Sequence, residues 1–332
     1  ANKVTNCKVL SSALPSEEEL ERLRSLWWRP RIRGLLHAEA LQQPALAGAT
    51  RLFKRWMASQ MMSGYEEFAE HLVAAVFLHP APFAVPTSPH VGFCRVLWLL
   101  DSFDWQREAL IVDIDHKVTE EERLSLRQSF ENHLSVTPQS DASLLKFWVS
   151  TRLDPHALLL LTPPATVASW LRRRAQQALE LCHSRLLGVE SDWRAVFALD
   201  TTAFDVVLQL LPPPEEPCPG VSRNGDEQGK RLSVQLISVE AAEAFVQGLR
   251  EKLSPVCLVF HDAQKQMVAL KWRPSAFLPQ PQNALMGSVP HTVIPQGAGE
   301  TPLCVPNILC IMSAISAIAE GLALEMEIKE AL

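Results

Sequence analysis

Apolar residues recur at helical spacing through most of the first half of the chain, and strand-like runs become frequent in the second. Ser16-Glu17-Glu18-Glu19 has the form of a capping box, in which serine and glutamate side chains accept N–H groups that a helix start leaves unpaired. The stripe behind it is Leu20, Leu23 and Trp27, and Pro30 is expected to stop that helix. A second helix is predicted over Ile32 to Gln42. Pro44 opens a third, with Leu52, Phe53, Trp56, Met57 and Met61 inside, Arg51, Lys54 and Arg55 outside, and Gly64 at its end. Glu66 to Leu78 reads as a fourth helix and Val91 to Leu100 as a fifth. Between them, His79 to Pro89 carries four prolines and cannot be helical.

The period then changes. Ala109 to Ile114 reads as a short buried strand, and Thr119 to Glu122 is a second capping box opening a helix to about Leu134. Leu144 to Val149 and Ala157 to Leu161 are strand-like runs. Pro163-Pro164 leads into a long helix to about Leu187, with Leu171, Ala175, Ala178, Leu179, Cys182 and Leu186 inside. Beyond Asp192, strands are expected over Phe204 to Leu211 and Leu232 to Ile237, separated by a flexible loop near 212–229 rich in Pro, Gly and charge. Glu240 to Leu253 is an amphipathic helix, and Val256 to Phe260 with Met267 to Trp272 has hairpin spacing. Pro274 to Pro306 reads as a long proline-studded connection before a final helix from Asn307 to about Ile328.

The fold class expected from this pattern is α+β. Residues 1–15 form the tail of a preceding domain or a linker, 16–190 a mostly helical domain, and 191–332 a compact α+β sandwich. At 332 residues, 47% of them hydrophobic, the chain is long enough for two cores. It starts at Ala1, which suggests a fragment or a processed chain. Thr301 to Ala319 is uncharged, but Pro302, Pro306 and Asn307 leave too short a helix to span a bilayer, which needs about 20 residues; no membrane role is expected.

The net charge is −6: residues 1–190 carry 21 basic and 21 acidic side chains, and the remainder 10 and 16. No global basic field holds nucleic acid, so any RNA contact must be local or shared. Seven dispersed cysteines without a CxxC pair fit a reducing compartment, cytosol or nucleus.

Asp113-Ile114-Asp115 has the spacing with which nucleotidyltransferases place two metal-binding carboxylates on one face of a strand. Such enzymes also carry an upstream Gly-Ser turn, whereas here only Gly92-Phe93 precedes the pair, so a structural strand end is the better reading. His116 beside the pair adds little, no two histidines share ligand spacing, and no serine sits in a Gly-x-Ser-x-Gly turn. No catalytic residue, metal or cofactor is expected. Four basic clusters remain: Arg29, Arg31 and Arg33 beside two tryptophans; Arg51, Lys54 and Arg55 on one helix face; Arg172, Arg173 and Arg174; and Lys271 with Arg273 flanking Trp272. Arginine beside aromatic rings suits RNA backbones and unstacked bases. An ordinary solvated face over a buried tryptophan is the alternative.

The segments RLFKRW, FLHPAPF and PTSPHVGFCRVLWLLDSFDW, with DWRAVFALDTTAFDVVLQL and VCLVFHDAQKQMVALKWRPSAFLPQPQ further on, resemble the nucleolar RNA-associated protein (Nrap) family over roughly Leu20 to Leu332. The resemblance implies tandem modules similar to poly(A) polymerases and CCA-adding enzymes. This chain would be the last helical domain, similar to the poly(A)-polymerase and oligoadenylate-synthetase substrate-binding domain, followed by the last α/β domain. The family's nucleotidyltransferase-like heads are degenerate, and no position here matches a head motif. The resemblance further implies a nucleolar scaffold of the small-subunit processome, acting in 18S pre-rRNA processing and ribosome biogenesis. Implied partners are pre-rRNA or U3 snoRNA, a subcomplex with the ribosomal RNA processing protein 7 family and casein kinase 2, and other processome proteins. The rivals are a trimmed part of an active template-independent nucleotidyltransferase and a pure protein-interaction module.

Overall fold

The computed structural model describes residues 15–136, 145–186, 192–211, 242–262, 265–281, 289–295 and 302–328. The chain divides into two compact units, Ala1–Lys54 with Tyr65–Pro163, and Arg55–Gly64 with Pro164–Leu332. The strand expected over 232–237 and the loop near 212–229 lie outside the described residues.

In the first unit the capping box forms as written: Ser16 accepts from the Glu19 N–H, Glu19 accepts from the Ser16 N–H, and α1 (Glu17–Leu23) follows. Pro30 does not stop the helix. The chain passes through a π-helical stretch, Arg24–Trp28, into α2 (Arg29–Gln42). The Arg29 N–H reaches back to the Arg24 carbonyl, and this wider turn accommodates a proline that has no N–H to give. The extra residue also rotates the buried face. Arg24, Trp28, Ile32 and Leu36 are buried, whereas Leu23 and Trp27 of the expected stripe are 47% and 38% exposed.

Helix α3 (Pro44–Ser59) buries Phe53, Trp56 and Met57 as expected but ends before Gly64, where Met61 takes a φ of +61°. α4 (Glu66–Leu78) has the predicted bounds and is buried on most of its surface. α5 (Pro89–Ser102) packs closely on its neighbours: a Cβ at Gly92 would lie 2.8 Å from Ala49 Cβ and 2.9 Å from Phe77 Cε2. Phe68, Phe147 and Trp105 form an aromatic run with centroid spacings of 5.2 and 5.0 Å.

The expected strand at Ala109 to Ile114 reduces to β1 (Leu110–Ile111), paired in parallel with β2 (Val149–Ser150). The second capping box forms between Thr119 and Glu122 and opens α6 (Glu120–Val136). The run Ala157 to Leu161 is not a strand. Its N–H groups at Leu158, Leu159 and Leu160 go to the buried Asp154 carboxylate at 2.9, 2.9 and 3.0 Å, so a side chain replaces the ladder.

The second unit is built on an antiparallel sheet in the order β4-β5-β3-β9. β3 (Val206–Leu210), β4 (Cys257–Asp262) and β5 (Met267–Trp272) are the expected strands, and β4–β5 is the expected hairpin. One face of the sheet, with Val206, Leu208, Val268 and Leu270, shares a core with Phe245 and Leu249 of helix α8 (242–253) and with Ile311 and Ile315 of α9 (Ile308–Ala319). On the other side, Trp170 of α7 (Ala165–Leu186) meets Phe204, which meets Phe260 of β4.

Two expectations fail here. The final helix stops at Ala319, Gly321 takes a φ of +81°, and β9 (Ala323–Ile328) returns along β3. The proline-studded connection holds a three-stranded sheet, with β8 (Leu303–Pro306) between β6 (Gln280–Pro281) and β7 (His291–Ile294). The prolines stand at strand ends, where a missing donor costs little. The fold class is α+β, as the pattern implied.

Candidate nucleic-acid interface

In the first unit, residues four apart on a helix share a face, so Arg29 and Arg33 both turn toward Glu67 of α4. Arg29 Nε donates to Glu67 Oε1 at 3.0 Å and Arg33 Nη2 lies 3.5 Å from the same oxygen. Arg29 also donates to Glu21 at 3.1 Å. The Arg24 hydrogen bond first, with Arg29 adding, holds the Glu21 carboxyl below its usual range. Arg31 points elsewhere, its guanidinium 4.8 Å from the Trp27 ring centroid. On α3, Lys54 pairs with Glu70, while Arg51 and Arg55, the latter the first α3 residue of the second unit, are exposed and carry no ion pair among the described residues.

The remaining candidates belong to the second unit. Arg174 donates to the carbonyl of Ala198 at 2.7 Å, to Gln60 Oε1 at 3.1 Å and to Gln177 Oε1 at 2.6 Å. Arg172 is half-buried and Arg173 is exposed. Lys271 donates to Asp205 at 2.9 Å, the second Asp205 oxygen takes the Trp272 N–H at 2.7 Å, and Arg273 donates to the Ser254 carbonyl at 3.0 Å. Arg29, Lys54, Arg174, Lys271 and Arg273 therefore hold the protein together. Arg31, Arg51, Arg55 and Arg173 remain outward-facing, while Arg33 is 66% exposed but pairs with Glu67.

Asp113 and Asp115 lie beyond the end of β1, so strand alternation does not align them. Asp113 accepts the Lys117 and Val118 N–H groups at 3.0 and 3.3 Å, which closes a turn. Asp115 accepts from Arg152 Nε at 2.9 Å. His116 Nε2 lies 2.8 Å from the buried Glu39 carboxylate. Among the described residues no cluster of three or more His, Cys, Asp or Glu is placed to hold a metal ion. Among them, too, no helix is long and apolar enough to cross a membrane.

Sequence reasoning missed Arg24, which is buried and donates from Nε to the Leu159 carbonyl at 2.7 Å. It also missed a cleft in the first unit lined by Phe83, Trp98, Arg107 and Arg127. Neither is marked by a local cluster of like residues.

Residues 43–199 match the family model described as Nrap protein PAP/OAS1-like domain 5, and residues 201–326 match Nrap protein domain 6. The chain belongs to the Nrap family. The first match takes in α3 to α7, and the second the four-stranded sheet with α8 and α9. Nucleolar protein 6 of Xenopus tropicalis is 29% identical over 94% of the chain, and that of Mus musculus is 30% identical over 94%. The chain spans 28% of the length of each of these relatives. U3 small nucleolar RNA-associated protein 22 of Saccharomyces cerevisiae is 27% identical over 49% of the chain and 16% of its own length.

Proposed function

We propose that this chain is a scaffold segment of the nucleolar small-subunit processome, acting in 18S pre-rRNA processing without catalysing it. The observation that carries the reading is the similarity running through both Nrap domains to proteins named Nucleolar protein 6, with a yeast relative named for U3 small nucleolar RNA. The helical domain, residues 16–190, holds RNA or protein tails, and the α+β domain, residues 191–332, docks a partner. Pre-rRNA or U3 snoRNA, the ribosomal RNA processing protein 7 family, casein kinase 2 and other processome proteins are the partners this reading assigns. The exposed arginines Arg31, Arg51, Arg55 and Arg173 are the residues most available for RNA contact. Phosphate contacts of this kind are salt-sensitive and sequence-tolerant, as a positioning role requires.

The test is ultraviolet crosslinking of the tagged chain in cells with sequencing of recovered RNA. Enrichment of 18S-precursor or U3 segments, reduced when Arg31, Arg51, Arg55 and Arg173 are changed together to Ala, is the expected result. No RNA above background, while partner proteins still co-purify, would leave a protein-interaction module instead.

A further inference from the structure

The first unit holds a cleft of about 860 Å³ between the end of α4, the turn after it, α5, the segment 103–111 and α6. That volume falls within the roughly 300–1,000 Å³ of ordinary ligand clefts. None of the basic clusters discussed so far lines it.

Two aromatic rings lie in it with surface to spare. Trp98 is 37% exposed and Phe83 46% exposed, large values for side chains of this size. Their rings meet edge-on at 5.2 Å and 82°, a contact that covers at most one face of either. Arg95 holds Phe83 in place, its guanidinium 4.9 Å from the ring centroid and hydrogen-bonded to the Ala84 carbonyl. The aromatic pair is thus fixed before anything binds.

Around the rings stand cations with little to hold them. Arg127 is exposed and has no ion pair among the described residues. The Arg107 side chain is 86% exposed and approaches Asp104 only to 3.9 Å. Arg123 approaches Glu120 to 3.8 Å. His79 accepts the Asp113 N–H at 3.3 Å, and burial, with help from Arg123, keeps its pKa below the ordinary value.

Asp104, Glu108 and Glu131 also line the cleft. They argue against an acidic peptide, whose charges would meet these carboxylates along its length. An uncharged base can lie beside them, with its phosphates turned to the arginines. A duplex has no unstacked base to offer the rings. We propose that the cleft binds an unpaired stretch of RNA, stacking a base on Trp98 and placing phosphates on Arg107 and Arg127. The inference rests on the RNA-contact reading above but uses none of its residues.

The test is fluorescence anisotropy of a short, unstructured, labelled RNA with the 332-residue chain across a salt series. Trp98→Ala is expected to weaken binding about tenfold or more, and Trp98→Phe to retain most of it. Arg127→Ala should lower the magnitude of the log–log salt slope by about 0.7, the share of one single-strand phosphate. Unfolding midpoints of the variants report that each still folds. Failure of the wild-type chain to bind single-stranded RNA overturns the proposal, as does equal affinity for a duplex. An acidic peptide whose binding depends on Trp98, with no such dependence for RNA, also overturns it. If the Trp98 and Arg127 variants bind normally while the joint change of Arg31, Arg51, Arg55 and Arg173 abolishes binding, the cleft proposal fails and the earlier reading stands. The opposite pattern supports the cleft and removes the exposed arginines.

Discussion

Arg174 donates to the Ala198 carbonyl at 2.7 Å, and the buried Gln60 amide reaches the same oxygen at 3.1 Å. Arg174 Nε also supplies the Gln60 carbonyl oxygen at 3.1 Å. Removing the guanidinium leaves a buried acceptor without its charged donor. Arg174→Ala is therefore expected to cost about 1.5–3 kcal/mol in urea unfolding. Arg173→Ala, one residue away and exposed, should stay within about 0.5 kcal/mol. Equal losses for the two would deny Arg174 its structural role.

Asp154 carries a second such duty. It is 3% exposed and takes three backbone N–H groups, those of Leu158, Leu159 and Leu160. Asp154→Ala strands all three donors, and a loss of about 3 kcal/mol or more is expected. Asp154→Asn keeps only one acceptor oxygen and should fall between. Urea titrations of both variants check the order.

What was legible in the sequence is what depends on near neighbours. Ser16 with Glu19 and Thr119 with Glu122 formed their boxes because both partners lie within one helical turn. The β4–β5 hairpin is local in the same sense. Failures came where the deciding partner is distant. Leu20, Leu23 and Trp27 made a good stripe, but a π turn shifted burial to Arg24 and Trp28, and the Arg24 partner is the Leu159 carbonyl. Residues 323–328 extend an apolar helical run on paper, yet β3 captures them as a strand once Gly321 has turned the chain. Arg172, Arg173 and Arg174 look alike in a string of letters; only folding separates the exposed Arg173 from the tethered Arg174. The Trp98 cleft escaped because its residues are scattered from position 75 to 131.

Gly92 has a close-packing role. A Cβ there would lie 2.8 Å from Ala49 Cβ and 2.9 Å from a Phe77 ring carbon, and neither is the end of a flexible chain. Gly92→Ala would gain helix propensity on α5 but must push these neighbours apart. The expected net effect is a loss of about 1–3 kcal/mol in thermal or urea unfolding. A stabilised variant would contradict the observed spacing.

Thiol reactivity should divide the cysteines. Burial pushes the Cys257 thiol up to about 12, so its thiolate fraction at mild alkaline pH is about a thousandfold below that of an ordinary thiol. Cys304 is buried as well, and Cys310 is exposed. Iodoacetamide followed by mass spectrometry is expected to label Cys310 in the native chain, and Cys257 and Cys304 only after denaturant is added. Labelling of Cys257 at the Cys310 rate would be inconsistent with the core on that face of the sheet.

The Asp115–Arg152 pair makes a pH-dependent prediction. The Arg152 hydrogen bond, and then its charge, hold the Asp115 carboxyl below the ordinary range, and Asp115 in turn pushes the guanidinium up. A carboxyl whose folded pKa is depressed adds stability above its unfolded pKa, about 3.9, and loses it as pH falls through the folded value. The wild-type advantage over Asp115→Asn should then be constant from about pH 7 to 5 and shrink below about pH 4. Arg152 is 37% exposed, so the plateau should stay under about 1 kcal/mol. Carboxyl carbon shifts measured by NMR give the sharper check. Arg152→Ala should return the Asp115 midpoint upward toward the ordinary range, and an unchanged midpoint would mean that Arg152 does not hold it.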